Sequence, residues 1–256
     1  MNKPGKTRGI GLELINIYRT RLVMRIAVLV TVVYFYVTDK ASLIFTNSKQ
    51  LFNQGIGPLH IIWIAIMAAM VPKFFPQKGN SMGCRKQFQS AFEPSNQSFT
   101  KLEVDNWFRL ENKAAKKVFA LWFGANAVIA LFYYLKTIGE PELVLLSLIY
   151  LVCDMICILF WCPFQYFIMK NRCCVTCRIF NWDSIMVCTP LLFVPSYFSW
   201  SLTAVAIFLL MGWEYSYWKH PLRFYEGSNV NLQCRNCTEK ICLVNKTFNM
   251  EHMHSR

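Results

Sequence analysis

Charge is scarce in this sequence, and acidic charge most of all. Charged residues fill 16% of the 256 positions, against about 25% in an ordinary soluble domain. Asp and Glu number 14 against 27 Lys and Arg, so the net charge is +13. On a soluble chain such a balance would suggest nucleic acid. Here the basic residues flank long apolar runs, and no nucleic-acid partner is expected. The common catalytic signatures are missing too. There is no G-x-x-x-x-G-K-S/T phosphate loop, no H-E-x-x-H, no G-x-S-x-G and no G-x-G-x-x-G. No internal repeat marks the inverted symmetry of a transporter. Whether the chain is an enzyme, and on what substrate, is open at this level.

What is present is apolar sequence in blocks, 55% hydrophobic overall and 16% aromatic. The pattern predicts an all-α integral membrane protein with about six transmembrane helices and both termini cytoplasmic. The membrane domain covers 1–218, with spans at about 22–38, 56–71, 118–135, 143–162, 179–195 and 197–218. Each is near the roughly 17–25 residues that cross hydrocarbon as a helix. The block after Ser184 is too long for one span, and Pro190 and Pro195 favour a hairpin turning at Pro195-Ser196. Bulky residues in "YFYVTDK" stand where a signal-peptide cleavage site would need small ones, so the first span reads as uncleaved. Arg25, near its start, is expected to snorkel to the headgroups.

Basic residues crowd the N-terminus, the 73–117 loop and the segment after span four, and thin out in the loops between. The positive-inside rule places the crowded segments in the cytoplasm, as for a bacterial plasma membrane. Within 73–117, Val104, Trp107, Phe108, Ala115 and Val118 recur at helical spacing. That reads as a helix lying on the bilayer and leading into span three, with basic residues for anionic lipid headgroups.

Cysteine is plentiful, eleven residues, and none lies in a loop predicted to face outward. Disulfide scaffolding is therefore not expected. "RCCVTCR" follows span four, and "QCRNCTEKIC" lies in the tail, 219–256. Cys174 with Cys177, and Cys234 with Cys237, form two C-x-x-C pairs, with Cys173 and Cys242 as further candidate ligands. Such spacing lets two thiolates in a tight turn face one ion. Two pairs make a tetrahedral four-thiolate site, for zinc or alternatively for iron or an iron–sulfur cluster. Arg172, Arg178 and Arg235 would offset its charge. A shared site needs both segments on one side of the membrane, which six spans provide.

Asp154 is an ionisable residue within span four. It suits a proton or ion relay, or else a carboxyl hydrogen-bonded to Asn126. Asp183 is expected to cap the next helix or to pair with Arg178. His60 has no second histidine at membrane depth, so a haem is not expected. "WEYSYWKHPLRFYEG" reads as an interfacial aromatic belt. Three functional readings follow. The first is a membrane protein with a cytoplasmic structural or regulatory zinc site joining the span-four loop to the tail. The second is a membrane redox protein with an iron–thiolate centre serving a quinone or thiol. The third is a small proton-coupled transporter using Asp154.

Overall fold

The computed structural model describes residues 6–38, 58–75, 87, 89, 92–171, 173 and 176–237. Its regular elements are helical, with no strand among the described residues. They are α1 (Lys6–Val37), α2 (Pro58–Met70), α3 (Lys101–Tyr134), α4 (Glu140–Leu159), α5 (Asp183–Cys188) and α6 (Tyr197–Lys219). Four of them, α1, α3, α4 and α6, are long and apolar enough to cross a membrane. Most of their surface faces outward and is apolar, with Val30, Phe119, Phe123, Phe208 and Met211 well exposed. Aqueous proteins do not leave so much apolar surface uncovered. By length and composition this is a membrane protein.

Two predicted spans are less regular than the sequence pattern suggests. For 56–71, the helix α2 covers 13 residues and then tightens into a 3₁₀ turn, Val71–Lys73; Ile56 and Gly57 lie outside the described residues. For 179–195, the six-residue α5 sits between 3₁₀ turns at Phe180–Trp182 and Thr189–Phe193. Pro190 has no N–H for the helical ladder, and the Thr189 hydroxyl donates to the Ile185 carbonyl at 2.7 Å. The turn at Pro195-Ser196 is present, with Ser196 as the N-cap of α6.

α1 and α4 pack antiparallel. Arg25, just past the middle of α1, meets Asp154, late in α4, at 2.7 Å. Tyr36, late in α1, donates to Glu142, early in α4, at 2.5 Å. Between these polar clamps Val32 and Leu148 bury each other. α2 runs parallel to α6: His60 packs edge-on against Phe198, and Met70 lies with Leu202 and Ala206. α3 runs antiparallel to α6, with Trp107 and Phe108 against Tyr217 at one end and Tyr133 near Phe193 at the other. α3 joins α4 through a short turn in which Lys136 has a positive φ of 58°. α4 and α6 therefore point the same way, and residues 160–196 carry the chain back between them.

The helix read at the end of the 73–117 loop leads without a break into span three, as its spacing suggests. It is the first half of α3, which runs unbroken for 34 residues, about 51 Å at 1.5 Å per residue. That exceeds the hydrocarbon thickness of about 30 Å. The apolar side of its first turns is taken up by protein. Trp107 and Phe108 join Trp213, Tyr217, Phe224, Phe180 and Trp182 in one cluster. Trp213 and Tyr217, assigned by sequence to an interfacial belt, are buried there, while Tyr215 and Trp218 remain exposed.

Candidate functional site

Among the described residues, three ion pairs gather at the end of the bundle where Arg25 and Asp154 meet. The Arg25 guanidinium donates to Asp154 at 2.7 Å and to the Leu151 carbonyl at 2.6 Å. Arg25 thus turns into the protein rather than snorkelling to headgroups, because a carboxylate at its own depth offers a closer partner. Asn126 is not the partner of Asp154: its amide donates to the Trp122 carbonyl of its own helix at 2.9 Å. Lys73 donates to Asp183, and to Ser184 Oγ at 2.8 Å. Asp183 neither caps a helix nor pairs with Arg178. It is the first residue of α5 rather than its N-cap, and Trp182 holds the cap position without a side-chain bond.

Arg178 is almost fully buried. Its two terminal nitrogens donate to Glu214 at 3.2 and 2.6 Å. Trp182 Nε1 donates to the same carboxylate at 2.8 Å. The guanidinium lies over the Tyr217 ring at 4.1 Å, and Trp213 Nε1 donates to the Arg178 carbonyl at 2.9 Å. The arginine expected to offset thiolate charge is thus committed to Glu214. Arg235 donates to Gln233 Oε1 at 2.8 Å, and Arg172 lies outside the described residues.

The cysteines of the two pairs are differently placed. Cys177 is buried among Ala115, Val118, Met169 and Ile179. Burial pushes its thiol well above the ordinary range, so in this conformation it holds its proton. Cys173 is half-buried and packs against the Tyr18, Met155, Ile158 and Leu159 cluster. Cys174 and Cys242 lie outside the described residues. Cys234 is exposed and Cys237 half-buried. A 3₁₀ turn, Cys234–Asn236, joins them, with the Cys237 N–H on the Cys234 carbonyl at 3.2 Å. Among the described residues no three His, Cys, Asp or Glu side chains converge to hold a metal ion. The described cysteines are thiols, with no disulfide among them.

The tail bearing Cys234 and Cys237 is pinned to the chain ahead of α3. The Ser95 N–H donates to the Ser228 carbonyl at 2.9 Å, and the Val230 N–H to the Glu93 carbonyl at 2.9 Å. Between them Asn229 is fully buried, its amide donating to the Arg223 carbonyl at 2.8 Å.

A cavity of about 130 Å³ opens between α3, α4 and the 160–187 segment. Cys153, Cys157, Cys162 and Cys177 line it with Asp154 and Asp183, against Trp122, Tyr150, Phe164 and Phe180. In the sequence Cys153, Cys157 and Cys162 are scattered through an apolar run, whereas Cys177 belongs to the first C-x-x-C pair. Their convergence depends on the irregular segment that follows α4 at Leu159, which the sequence signals only by Pro163. Comparison with known proteins finds no matching family model, no matching curated protein and no matching solved structure.

Proposed function

We propose that this is a six-crossing membrane protein with a cytoplasmic thiolate metal centre. Cys174, Cys177, Cys234 and Cys237 supply it, with Cys173 and Cys242 as further ligands. The centre staples the segment after α4 to the tail after α6. Zinc is the favoured ion, because separated C-x-x-C pairs most often hold structural zinc. Such a site would be structural or regulatory, since zinc brings no redox chemistry.

One observation carries this reading. Phe180 and Trp182, just after the first pair, share an aromatic cluster with Tyr217 and Phe224, just before the second. Both cysteine segments therefore leave the same end of the bundle. The 3₁₀ turn at Cys234–Asn236 adds a second support, because two thiolates on one ion need a tight turn between them. Metal binding would require Cys177 to leave its buried position and lose its proton, so affinity would rise with pH. The same-direction course of α4 and α6 supports six crossings, with 179–195 as an irregular fifth. The basic flanks place both termini in the cytoplasm of a plasma membrane, against anionic headgroups.

The test is metal content and an absorption spectrum on protein purified in detergent without oxygen. The expected result is about one zinc per chain, on the four-thiolate stoichiometry, and no visible band. Loss of that zinc in both Cys174→Ser and Cys237→Ser shows that the two segments share an ion. Iron with visible charge-transfer bands moves the protein to the electron-transfer class. Neither metal removes the proposal. The Arg25 pair supports a structural role for Asp154 beside the relay that a transporter would need.

A further inference from the structure

α3 carries a second stripe, turned away from the protein. Arg109, Lys113 and Lys117, then Ala120, Gly124 and Ala127, recur at intervals of three or four residues, and all are exposed. That spacing keeps them on one helix face, opposite the buried Ala115, Val118 and Asn126. The basic part covers about 12 Å at 1.5 Å per residue. It ends where the apolar run of α3 begins, at Val118. Among the described residues Lys113 and Lys117 form no ion pair. Arg109 donates to a neutral partner, Asn106 Oδ1, at 2.9 Å.

The apolar part is a shallow groove. Gly124 has no side chain, and a Cβ there would meet nothing within 4 Å. Phe119 and Phe123, stacked with ring centroids 6.0 Å apart, rise on one flank. Leu121 and Val128, both well exposed, rise on the other. Small residues often bring two helices together in a bilayer. Here a symmetric parallel pair of chains would set Lys113 and Lys117 against their own counterparts, and like charges oppose that. The chain has no run of acidic residues to lay there itself. A soluble acidic partner would reach the cations but not a groove at hydrocarbon depth. A phospholipid matches both parts at once, with anionic charge at the interface and an apolar chain below it.

We propose that this stripe is a discrete site for a single anionic diacyl phospholipid. Its phosphate sits on Lys113 and Lys117, with Arg109 beside the outer part of the headgroup. One acyl chain lies along Ala120, Gly124 and Ala127. The proposal rests on the reading that the basic flanks lie against anionic headgroups, and it does not need the metal centre.

The experiment uses the full chain in non-ionic detergent, stripped of lipid. Dioleoyl phosphatidylglycerol or dioleoyl phosphatidylcholine is added, and retained lipid is read by native mass spectrometry. The expected result is a single phosphatidylglycerol held per chain under conditions that remove phosphatidylcholine. Lys113→Ser and Lys117→Ser are each expected to weaken retention roughly fivefold, and Lys113→Arg to preserve it. Lys101→Ser removes the same charge from outside the stripe and is expected to change nothing. Gly124→Phe leaves every charge in place but fills the groove, and is expected to lose the lipid. Unfolding midpoints without lipid show whether each variant is folded, and the wild-type comparison of the two lipids needs no variant. If Lys101→Ser weakens retention as much as Lys113→Ser, the attraction is diffuse; the discrete site is overturned while the headgroup reading stands. Equal retention of both lipids by the wild-type chain overturns the two together. Displacement of the lipid by inorganic phosphate would assign the cations to a free anion and overturn the proposal. So would a chain dimer that holds no lipid and is lost in Gly124→Phe.

Discussion

At the scale of single residues, the paired charges are the most consequential features. Arg25 and Asp154 have side chains only 24% and 17% exposed. Removing one partner of such a pair strands the other in a poorly solvated place, which costs roughly 3–5 kcal/mol for a fully buried pair and somewhat less here. Asp154→Asn is therefore expected to lower the thermal unfolding midpoint in detergent. The double variant Arg25→Met with Asp154→Leu is expected to recover most of that loss. If Asp154→Asn unfolds at the wild-type temperature, the pair is not holding α1 to α4. Arg178→Lys is a second test. Lysine cannot reproduce the two-pronged contact with Glu214 or the flat contact with Tyr217, so a loss of about 2 kcal/mol is expected. Glu214→Gln should cost less, since the amide oxygen still accepts from the guanidinium and from Trp182. The sequence shows Asp154 and Arg25 to be unusual but not that they are partners. They lie on helices far apart in the chain, and antiparallel packing alone brings them to one depth. For Asp183 and Lys73 the same holds, which is why local capping looked the better reading.

At the scale of elements, α3 shows what periodicity reads well and what it misses. Val104, Ala115 and Val118, picked out by helical spacing, are buried in the structure. The spacing does not say what covers them. A membrane surface and a neighbouring aromatic cluster both satisfy the same apolar stripe. The start of α3 is fixed by a capping box, with Thr100 Oγ1 accepting from the Glu103 N–H and the Glu103 carboxylate accepting from the Thr100 N–H. Thr100→Ala is expected to cost about 1 kcal/mol and to speed amide exchange in the first turn of α3 alone. Protection lost equally along the whole helix would contradict that local role. α6 was read to within a residue because its start is marked by Pro195 and its run is unbroken. The 179–195 stretch was not, because proline and threonine within it divert the backbone while the hydropathy stays high.

At the scale of the whole molecule, polarity is segregated along the bundle axis. Arg25 with Asp154, Lys73 with Asp183 and Arg178 with Glu214 sit toward one end, along with the cysteine segments. Basic loops flag that end in the sequence. The thiol cavity was not legible there, since it is assembled from three segments. A reporter fused after Arg256 is expected to report from the cytoplasm. An external signal would separate the tail from the first cysteine pair and exclude a shared ion. In metal-depleted membranes, Cys234 is expected to react with a maleimide much faster than Cys177, because one is exposed and the other buried. Equal rates would show that the segment around Cys177 opens readily.

The pinning of residues 93–95 by 228–230 bears on how the chain comes to be made. A ribosome delivers the stretch ahead of α3 early and its partner only after the last long helix has emerged. Until then the first half of α3 stands without the tyrosines and phenylalanine that cover Trp107 and Phe108. The nascent chain must pass through a stage in which its transmembrane portion is inserted while this cap is open. Assembly of the cap must follow synthesis of α6, and a chain truncated before Asn229 would lack this pin.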